Sequence, residues 1–281
     1  MSAAPPCSPA AMRVLTALLE ARTGQQLSSY RSWRLDTALK PLLKQRDLAD
    51  LDALVGLLLQ GGDPTVGDQI VDALVNSETS FFRDAPVFEV IGEEVAAIAR
   101  AGRRARIWCA GCSTGQEPLS LAMLFAERAK DQGIAMPDIV ATDVSETAIA
   151  RARSGRYTQF EVQRGLPIRR LLQWFDGDGT AEWVAKPELT RHIQYRRANL
   201  VADPAPAGRF DFVLCRNVLL YLSPQAKLPV FDRMAGALRP GGLFVMGAGE
   251  TVIGQTRLFE PSRTTRGLYV RAAAPSAHLA A

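Results

Sequence analysis

The chain has 281 residues, 47% of them hydrophobic, and a formal net charge of +4 with a pI near 9.0. This length and apolar content allow one large or two modest domains with a sizeable core. The most apolar run, residues 54–59, is far too short to span a bilayer, and residues 1–11 lack the basic and apolar parts of a signal peptide. We therefore expect a cytoplasmic protein without membrane insertion.

The basic residues cluster near positions 100–106, 151–170 and 191–197. Such clusters can bind nucleic acid, but no nucleic-acid motif or series of stacking aromatics accompanies these. Solvated faces or an acidic protein partner explain them equally well. We expect no nucleic-acid partner.

The first 75 residues have a helical pattern. An apolar stripe through Leu48, Leu51 and Leu54 predicts a helix that ends at residues 61–62, which are both glycine. The next two residues, 63–64, are Asp and Pro, a capping side chain and a first-turn proline that begin another helix. No strand pattern interrupts this small helical unit.

From about residue 105, short apolar runs alternate with longer amphipathic segments, which is typical of a parallel sheet covered on both faces. A segment over residues 157–197 breaks the alternation and predicts an inserted antiparallel subdomain with strand-like runs at 182–185 and 192–196. The other predicted strands are 106–110, 138–143, 210–216 and 243–247, and the predicted helices are 116–130, 145–153 and 224–238.

The most informative segment joins the first predicted strand to its helix and reads Ile-Trp-Cys-Ala-Gly-Cys-Ser-Thr-Gly-Gln-Glu-Pro over residues 107–118. Gly111 and Gly115 allow a tight turn that lets a nucleotide approach the backbone. Asp143 closes the second strand, where a carboxylate commonly binds ribose hydroxyls. Together these features predict an adenosine-containing cofactor.

The chemistry of this loop indicates which cofactor binds. The loop has no Lys followed by Ser or Thr, and no G-x-G-x-x-G pattern, so a triphosphate or a dinucleotide is disfavoured. Glu117 and Asp143 would repel a pyrophosphate, whereas a sulfonium and an ammonium group suit two carboxylates. We predict that the ligand is S-adenosylmethionine.

The four cysteines do not form a secreted disulfide framework. Cys109 and Cys112 form a C-x-x-C pair, which is compatible with a redox pair or with part of a zinc site. A zinc site needs two further ligands, and only two histidines and two other cysteines remain. We favour two small residues that fill the cofactor loop, and we expect no metal.

The linker that follows the helical unit, residues 77–84, reads Ser-Glu-Thr-Ser-Phe-Phe-Arg-Asp. It has two interpretations. The first is a polar connection with two core phenylalanines, in which Asp84 caps the following helix. The second is that Thr79 and Arg83 fold over the cofactor. The residues alone do not decide between these interpretations.

Six motifs follow one another along the chain, at residues 77–84, 113–118, 141–145, 199–200, 210–218 with Tyr221, and 238–242. In this order they resemble the motifs of the CheR-type chemotaxis receptor glutamate methyltransferases over roughly residues 20–270. The resemblance implies a class I, Rossmann-like α/β methyltransferase sheet with an N-terminal all-helical domain and a small inserted β-subdomain. We expect the helical domain at 10–75, the methyltransferase domain at 76–272 with its insertion at about 157–197, and disordered ends at 1–9 and 273–281.

The resemblance also implies roles for single residues. Thr79 and Arg83 would contact the methionine end of the cofactor, and Glu117 would lie near its amino group. Asp143, at the end of the predicted strand 138–143, would hold the ribose. Ser77 stands where the family usually has Asn, and Asn76 is displaced from that place by one residue.

At the other loops, the resemblance implies that Asn199 and Leu200 flank the adenine. Arg216 and Asn217 would lie at the end of the predicted strand 210–216 beside the sulfonium, and Tyr221 would face the transferred methyl. Arg216 and Tyr221 are therefore the catalytic candidates, as groups that shape the pocket. The alternatives remain that Asn199 simply ends a strand, Arg216 is a structural ion-pair partner and Tyr221 is a core residue.

The implied reaction forms glutamate methyl esters on the glutamate-rich cytoplasmic helices of chemoreceptors and releases S-adenosylhomocysteine, with the enzyme recruited from the cytoplasm to membrane receptors. A glutamate with a pKa of about 4.3 is already ionised at neutral pH, so it needs no general base. Glutamate-rich helices would need a basic docking surface. The N-terminal helices offer one, although the same residues are equally compatible with an ordinary solvated helix face: Arg31, Arg34, Lys40, Lys44 and Arg46. The alternative functions are methylation of another signalling protein and a non-catalytic cofactor-binding sensor or adaptor.

Overall fold

The computed structural model describes residues 7–27, 33–263 and 267–272, with the side chains of Trp33 and Arg34 left out. Its first part is a bundle of four helices whose buried leucines and valines form one core together with Ile70. Within the described ranges, no helix combines the length and the apolar character that crossing a bilayer requires. The four helices are α1 (Pro9–Thr23), α2 (Trp33–Gln45), α3 (Leu51–Gln60) and α4 (Thr65–Leu74).

The ends of α1 follow from its sequence. The Ser8 hydroxyl accepts a hydrogen bond from the Ala11 N–H and caps the helix start, where Pro9 has no N–H that would need an acceptor. The predicted disorder of residues 1–9 is therefore wrong for residues 7–9, while 1–6 and 273–281 lie outside the described residues.

A linker leads from the bundle into an α/β unit. Its elements are α5 (Ala85–Arg100), β1 (Arg106–Ala110), α6 (Gln116–Gln132), β2 (Asp138–Asp143), α7 (Glu146–Ser154), β3 (Arg156–Thr158), α8 (Gln159–Gln163), α9 (Ile168–Trp174), β4 (Phe175–Gly177), β5 (Glu182–Ala185), α10 (Pro187–Thr190), β6 (Ile193–Arg197), β7 (Phe210–Cys215), α11 (Pro224–Ala237), β8 (Leu238–Met246), β9 (Phe259–Pro261) and β10 (Tyr269–Arg271). Among the described residues, the main sheet has seven strands in the order β6-β2-β1-β7-β8-β10-β9. The first five strands in this order are parallel to one another, and β10 pairs antiparallel with both β8 and β9.

The inserted subdomain is a separate antiparallel sheet in the order β3-β5-β4, packed with α8 and α9. The prediction that the strand near 192–196 belongs to this insertion is wrong. That strand is β6, which pairs in parallel with β2, and its Ile193 and Tyr195 are buried in the main core. Alternating burial alone fits either sheet, so only the pairing partner decides.

Strand order places the functional edge of the sheet. The chain runs from β1 outward to β2 and β6, then returns to the other side of β1 for β7 and β8. The carboxyl ends of these parallel strands therefore meet at a topological switch point, where ligands bind in open α/β sheets. The predicted fold class, a Rossmann-like sheet with an N-terminal helical unit and an inserted β-subdomain, is confirmed.

The end of α1 packs against this same edge. Gln25 forms an antiparallel β-bridge with Leu222, and the Gln26 N–H donates to the Tyr221 carbonyl at 2.8 Å. Gly24 makes the approach possible, because it has a φ of +71° and a Cβ there would lie 2.9 Å from the Ala226 side chain. The helical bundle thus contributes directly to the wall of the site.

Candidate active site

A cleft of about 840 Å³, including the space at its open mouth, lies at the carboxyl ends of β1, β2, β6 and β7. The end of α1 and the linker after α4 close its other sides. The predicted site residues that line the cleft are Thr79, Arg83, Glu117, Asp143, Asn199, Leu200, Arg216, Asn217 and Tyr221.

Ser77 is the predicted site residue that does not line the cleft. It is exposed, and its carbonyl accepts a hydrogen bond from the Ser113 hydroxyl at 2.6 Å. Asn76 lines the cleft instead, and its side-chain amide donates to the Tyr221 hydroxyl. Sequence reasoning missed this residue, although the family's Asn, displaced by one position, was the available signal.

The loop after β1 leaves room for a ligand because its glycines have no side chains. Gly111 lines the cleft with a φ of +81°, and a Cβ there would lie 2.5 Å from the Val218 side chain. Gly115, at the start of α6, has a φ of +94°, and a Cβ would lie 2.9 Å from Ala152. Both positions require glycine for conformation and for space.

Asp143 ends β2 with its carboxylate at the cleft. One oxygen accepts the Ser113 N–H at 2.8 Å and the other accepts the Ser145 N–H at 3.0 Å. Burial raises the pKa of Asp143 above its ordinary value, and these backbone hydrogen bonds oppose the shift. Each oxygen retains acceptor capacity, which suits a pair of ribose hydroxyls.

Arg216 connects three segments around the cleft. Its guanidinium lies 2.9 Å from the Glu117 carboxylate and 2.7 Å from that of Asp84, and it also donates to the Arg83 carbonyl at 2.8 Å. Its side chain is only 2% exposed. The structural ion-pair interpretation of Arg216 therefore describes its contacts, although the residue also lines the cleft.

The same contact corrects the capping interpretation of Asp84. Asp84 precedes α5 with a φ of +57°, and its side chain makes no capping hydrogen bond to that helix. Its carboxylate pairs with Arg216 instead. The ion pair ties the linker to the end of β7, so the linker is part of the site rather than a simple connection.

Charge in the cleft matches the predicted cofactor. Arg83 lines the cleft, and its guanidinium has no hydrogen-bond or ion-pair partner among the described residues. A free cation of this kind suits the carboxylate of a methionine moiety, whereas Glu117 and Asp143 suit an ammonium group and ribose hydroxyls. The residues present therefore fit S-adenosylmethionine.

The segment after β6 is held by hydrogen bonds to other parts of the protein and by one local bond. The Asn199 amide donates to the Arg22 carbonyl, and its side-chain oxygen accepts the Val201 N–H at 2.9 Å. The Leu200 carbonyl accepts from Arg233 at 2.8 Å. These bonds support the interpretation of Asn199 as the residue that ends a strand and shapes the adjoining wall.

The C-x-x-C pair is buried. Cys109 lies inside β1 and Cys112 in the cofactor loop, and desolvation raises the pKa of each thiol well above its ordinary value. Such thiols are poor nucleophiles because the thiolate is disfavoured. In the part of the chain that the structure describes, no three His, Cys, Asp or Glu side chains gather as a metal site would need.

The switch-point cleft, the glycine loop and the acidic end of β2 define a class I methyltransferase. Within that class, the chain belongs to the CheR methyltransferase family: residues 77–268 match the family model described as CheR methyltransferase, SAM binding domain. The predicted family, the methyltransferase activity and S-adenosylmethionine as cofactor are thereby confirmed.

Relatives agree with this assignment over most of their length. Chemotaxis protein methyltransferase 1 of Pseudomonas aeruginosa is 36% identical, with 90% of this chain and 94% of the relative covered. Chemotaxis protein methyltransferase Cher2 of Pseudomonas putida is 34% identical over the same shares. The chemotaxis protein methyltransferase of Vibrio parahaemolyticus is 33% identical, with 91% and 94% covered.

Proposed function

We propose that this enzyme transfers the methyl group of S-adenosylmethionine to glutamate carboxylates on the cytoplasmic helices of chemoreceptors. The products are glutamate methyl esters and S-adenosylhomocysteine. The names of the relatives support a role in chemotaxis. On this proposal the enzyme works in the cytoplasm and is recruited to membrane receptors.

The state of the carboxylates in the cleft carries the proposal. Glu78 pairs with Arg164 at 2.7 Å, Glu117 pairs with Arg216, and Asp143 accepts two backbone N–H groups. None of the described residues that line the cleft is a histidine. Because each carboxylate among the described cleft residues is already ion-paired or hydrogen-bonded, none of them is free to act as a general base, and the cleft suits an acceptor that is already an anion, as a glutamate carboxylate is.

The protein's part in the reaction is placement. Bound S-adenosylmethionine supplies an electrophilic methyl group on a positively charged sulfur. Arg83, Glu117 and Asp143 bind the cofactor's polar groups, and Arg216 and Tyr221 shape the pocket in which the glutamate oxygen lies. Such positioning can lower a barrier by about 7–11 kcal/mol in favourable cases.

The exposed face of α2 is the proposed contact for acidic receptor helices. Lys40 and Lys44 are exposed on this helix. Arg46 is bound to Asp63 at 2.9 Å and to Gln69, so it stabilises the bundle. Of the other predicted members of this face, Arg31 and the Arg34 side chain lie outside the described residues.

Transfer of labelled methyl to membranes that contain chemoreceptors tests the proposal. We expect label on the receptor band, and we expect mild alkali to release it because a methyl ester is hydrolysed under those conditions. If no label appears while calorimetry still shows cofactor binding, the receptor assignment fails. Methylation of another signalling protein or a cofactor-binding sensor or adaptor would then replace it.

A further inference from the structure

The carboxylate of Glu250 joins the two loops that leave β7 and β8 at the edge of the cleft. One oxygen accepts the N–H groups of Asn217 at 2.6 Å and Gly247 at 3.0 Å, and the other accepts that of Leu220 at 3.1 Å. Glu250 is half-buried and does not itself line the cleft. It therefore acts on the site through the residues that it holds.

Asn217 is the residue that most needs this support. Its φ of +58° lies in the left-handed region, which costs free energy for a residue other than glycine. Its side chain lies against the backbone of Gly247, where a Cβ would come within 2.6 Å of the Asn217 amide nitrogen. A charge-assisted hydrogen bond from the Asn217 N–H to Glu250 stabilises this conformation at the cleft wall.

The same carboxylate fixes the short 3₁₀ turn Leu219–Tyr221. The Leu220 N–H is bonded to Glu250, and the following N–H, that of Tyr221, donates to the Val218 carbonyl at 3.1 Å. The turn therefore has an anchor immediately before Tyr221. That anchor sets the direction in which the Tyr221 side chain enters the cleft.

We propose that Glu250 is a positioning residue for methyl transfer, which holds Asn217 and Tyr221 in place by gathering N–H groups from two loops. The inference rests on the proposed function of the cleft. A glutamine of the same shape cannot replace this carboxylate, because its NH₂ group would face at least one of the three N–H donors. Glu250→Gln is therefore the informative substitution.

The experiment compares Glu250→Gln with the wild-type chain and with Glu260→Gln, the same chemical change at an exposed position on β9. The measurements are kcat and KM for receptor methylation and the Kd for S-adenosylhomocysteine. We expect kcat of Glu250→Gln to fall on the order of 10- to 100-fold, with KM and Kd changed by less than about threefold. Glu260→Gln should match the wild type.

Two results would overturn the inference. The first is a kcat for Glu250→Gln that stays within about twofold of the wild type. The second is a loss of cofactor affinity as large as the loss of kcat, because a general collapse of the cleft would weaken binding and turnover together.

Hydrogen exchange separates this inference from the proposed function. If the wild-type enzyme does not methylate receptors, the proposed function fails and exchange alone decides the role of Glu250. We expect the amides of Asn217, Leu220 and Gly247 to exchange faster in Glu250→Gln, with the β1 amides unchanged. Unchanged protection at all three amides would contradict the role of Glu250.

Discussion

The side-chain amide of Asn76 donates a hydrogen bond to the hydroxyl of Tyr221, so the linker after α4 is bonded directly to the turn after β7. Tyr221 is also held through its carbonyl, which accepts the Gln26 N–H. The aromatic ring at the cleft is thus fixed by two segments that precede the methyltransferase sheet in sequence. Its hydroxyl accepts the bond from Asn76 through a lone pair, and its own O–H remains available as a donor.

Removing either partner of this bond should slow methyl transfer. We expect Asn76→Ala and Tyr221→Phe each to lower kcat on the order of tenfold, and the double variant to lose little more than the larger single loss. The two groups act as one unit, so their effects should not add. The measurement is kcat for receptor methylation in all three variants.

Ser77→Ala is the matched control, because the Ser77 side chain is exposed and only its carbonyl is bonded to Ser113. Additive losses in the double variant would show that Asn76 and Tyr221 act independently. Full turnover by Tyr221→Phe would remove the hydroxyl from the mechanism.

Arg216→Ala should be strongly destabilising. The change leaves the Glu117 carboxylate, which is 14% exposed, without its buried partner. Removing one partner of a buried ion pair typically costs about 3–5 kcal/mol, so we expect a loss of this size in the free energy of unfolding. Urea denaturation measures it. Arg22→Ala is the control, because Arg22 and Asp68 are each more than half exposed and such a pair is worth about 0–1 kcal/mol. Equal losses for the two variants would contradict the prediction.

Gly24→Ala should loosen the contact between the helical bundle and the cleft. Alanine adds strain at a φ of +71° and a steric conflict with Ala226. Gly61→Ala is a matched control, since its φ is +67° and nothing lies within 4 Å of the added Cβ. Both changes incur the left-handed strain of about 1–2 kcal/mol, and we expect only Gly24→Ala to weaken S-adenosylhomocysteine binding measured by calorimetry. Unchanged binding by that variant would argue against a role for this contact.

Cofactor affinity should fall in acid at a higher pH than an ordinary aspartate would give. Burial raises the pKa of Asp143 in the folded protein. Ionised Asp143 therefore lowers stability above its unfolded-state pKa, and stability is regained as the pH falls. Cofactor affinity changes with pH in the opposite direction to stability. The ionised carboxylate is the better acceptor for hydroxyl donors, so affinity falls as the pH falls through the raised pKa and the carboxylate becomes protonated.

Calorimetric titration with S-adenosylhomocysteine from about pH 4 to pH 8 tests this effect of Asp143. We expect Asp143→Asn to bind more weakly at neutral pH and to lose the acid dependence of the wild type. An identical acid dependence in that variant would assign the effect to another group.

Local patterns predicted the parts of the structure that depend on neighbouring residues. The glycine loop and Asp143 follow from a strand that ends, a turn that needs positive φ and a helix that begins. Side-chain partners far apart in sequence could not be read this way. Asp84 is a residue type that commonly caps helices, and only the structure shows that its carboxylate pairs with Arg216 instead. The one-residue displacement of the family's Asn, from position 77 to Asn76, also could not be interpreted from the sequence. Which of Asn76 and Ser77 faces the cleft depends on the path of the linker.

The bridge between Gln25 and Leu222 has a consequence for the exchange of domains between family members. The family model begins at residue 77, yet Thr23 and Gln25 line the cleft. A chimera that takes its helices from one enzyme and its catalytic sheet from another would therefore join two halves of a single binding wall. Altering receptor preference by such a swap requires that the residues around Gly24 and those around Leu222 come from the same parent.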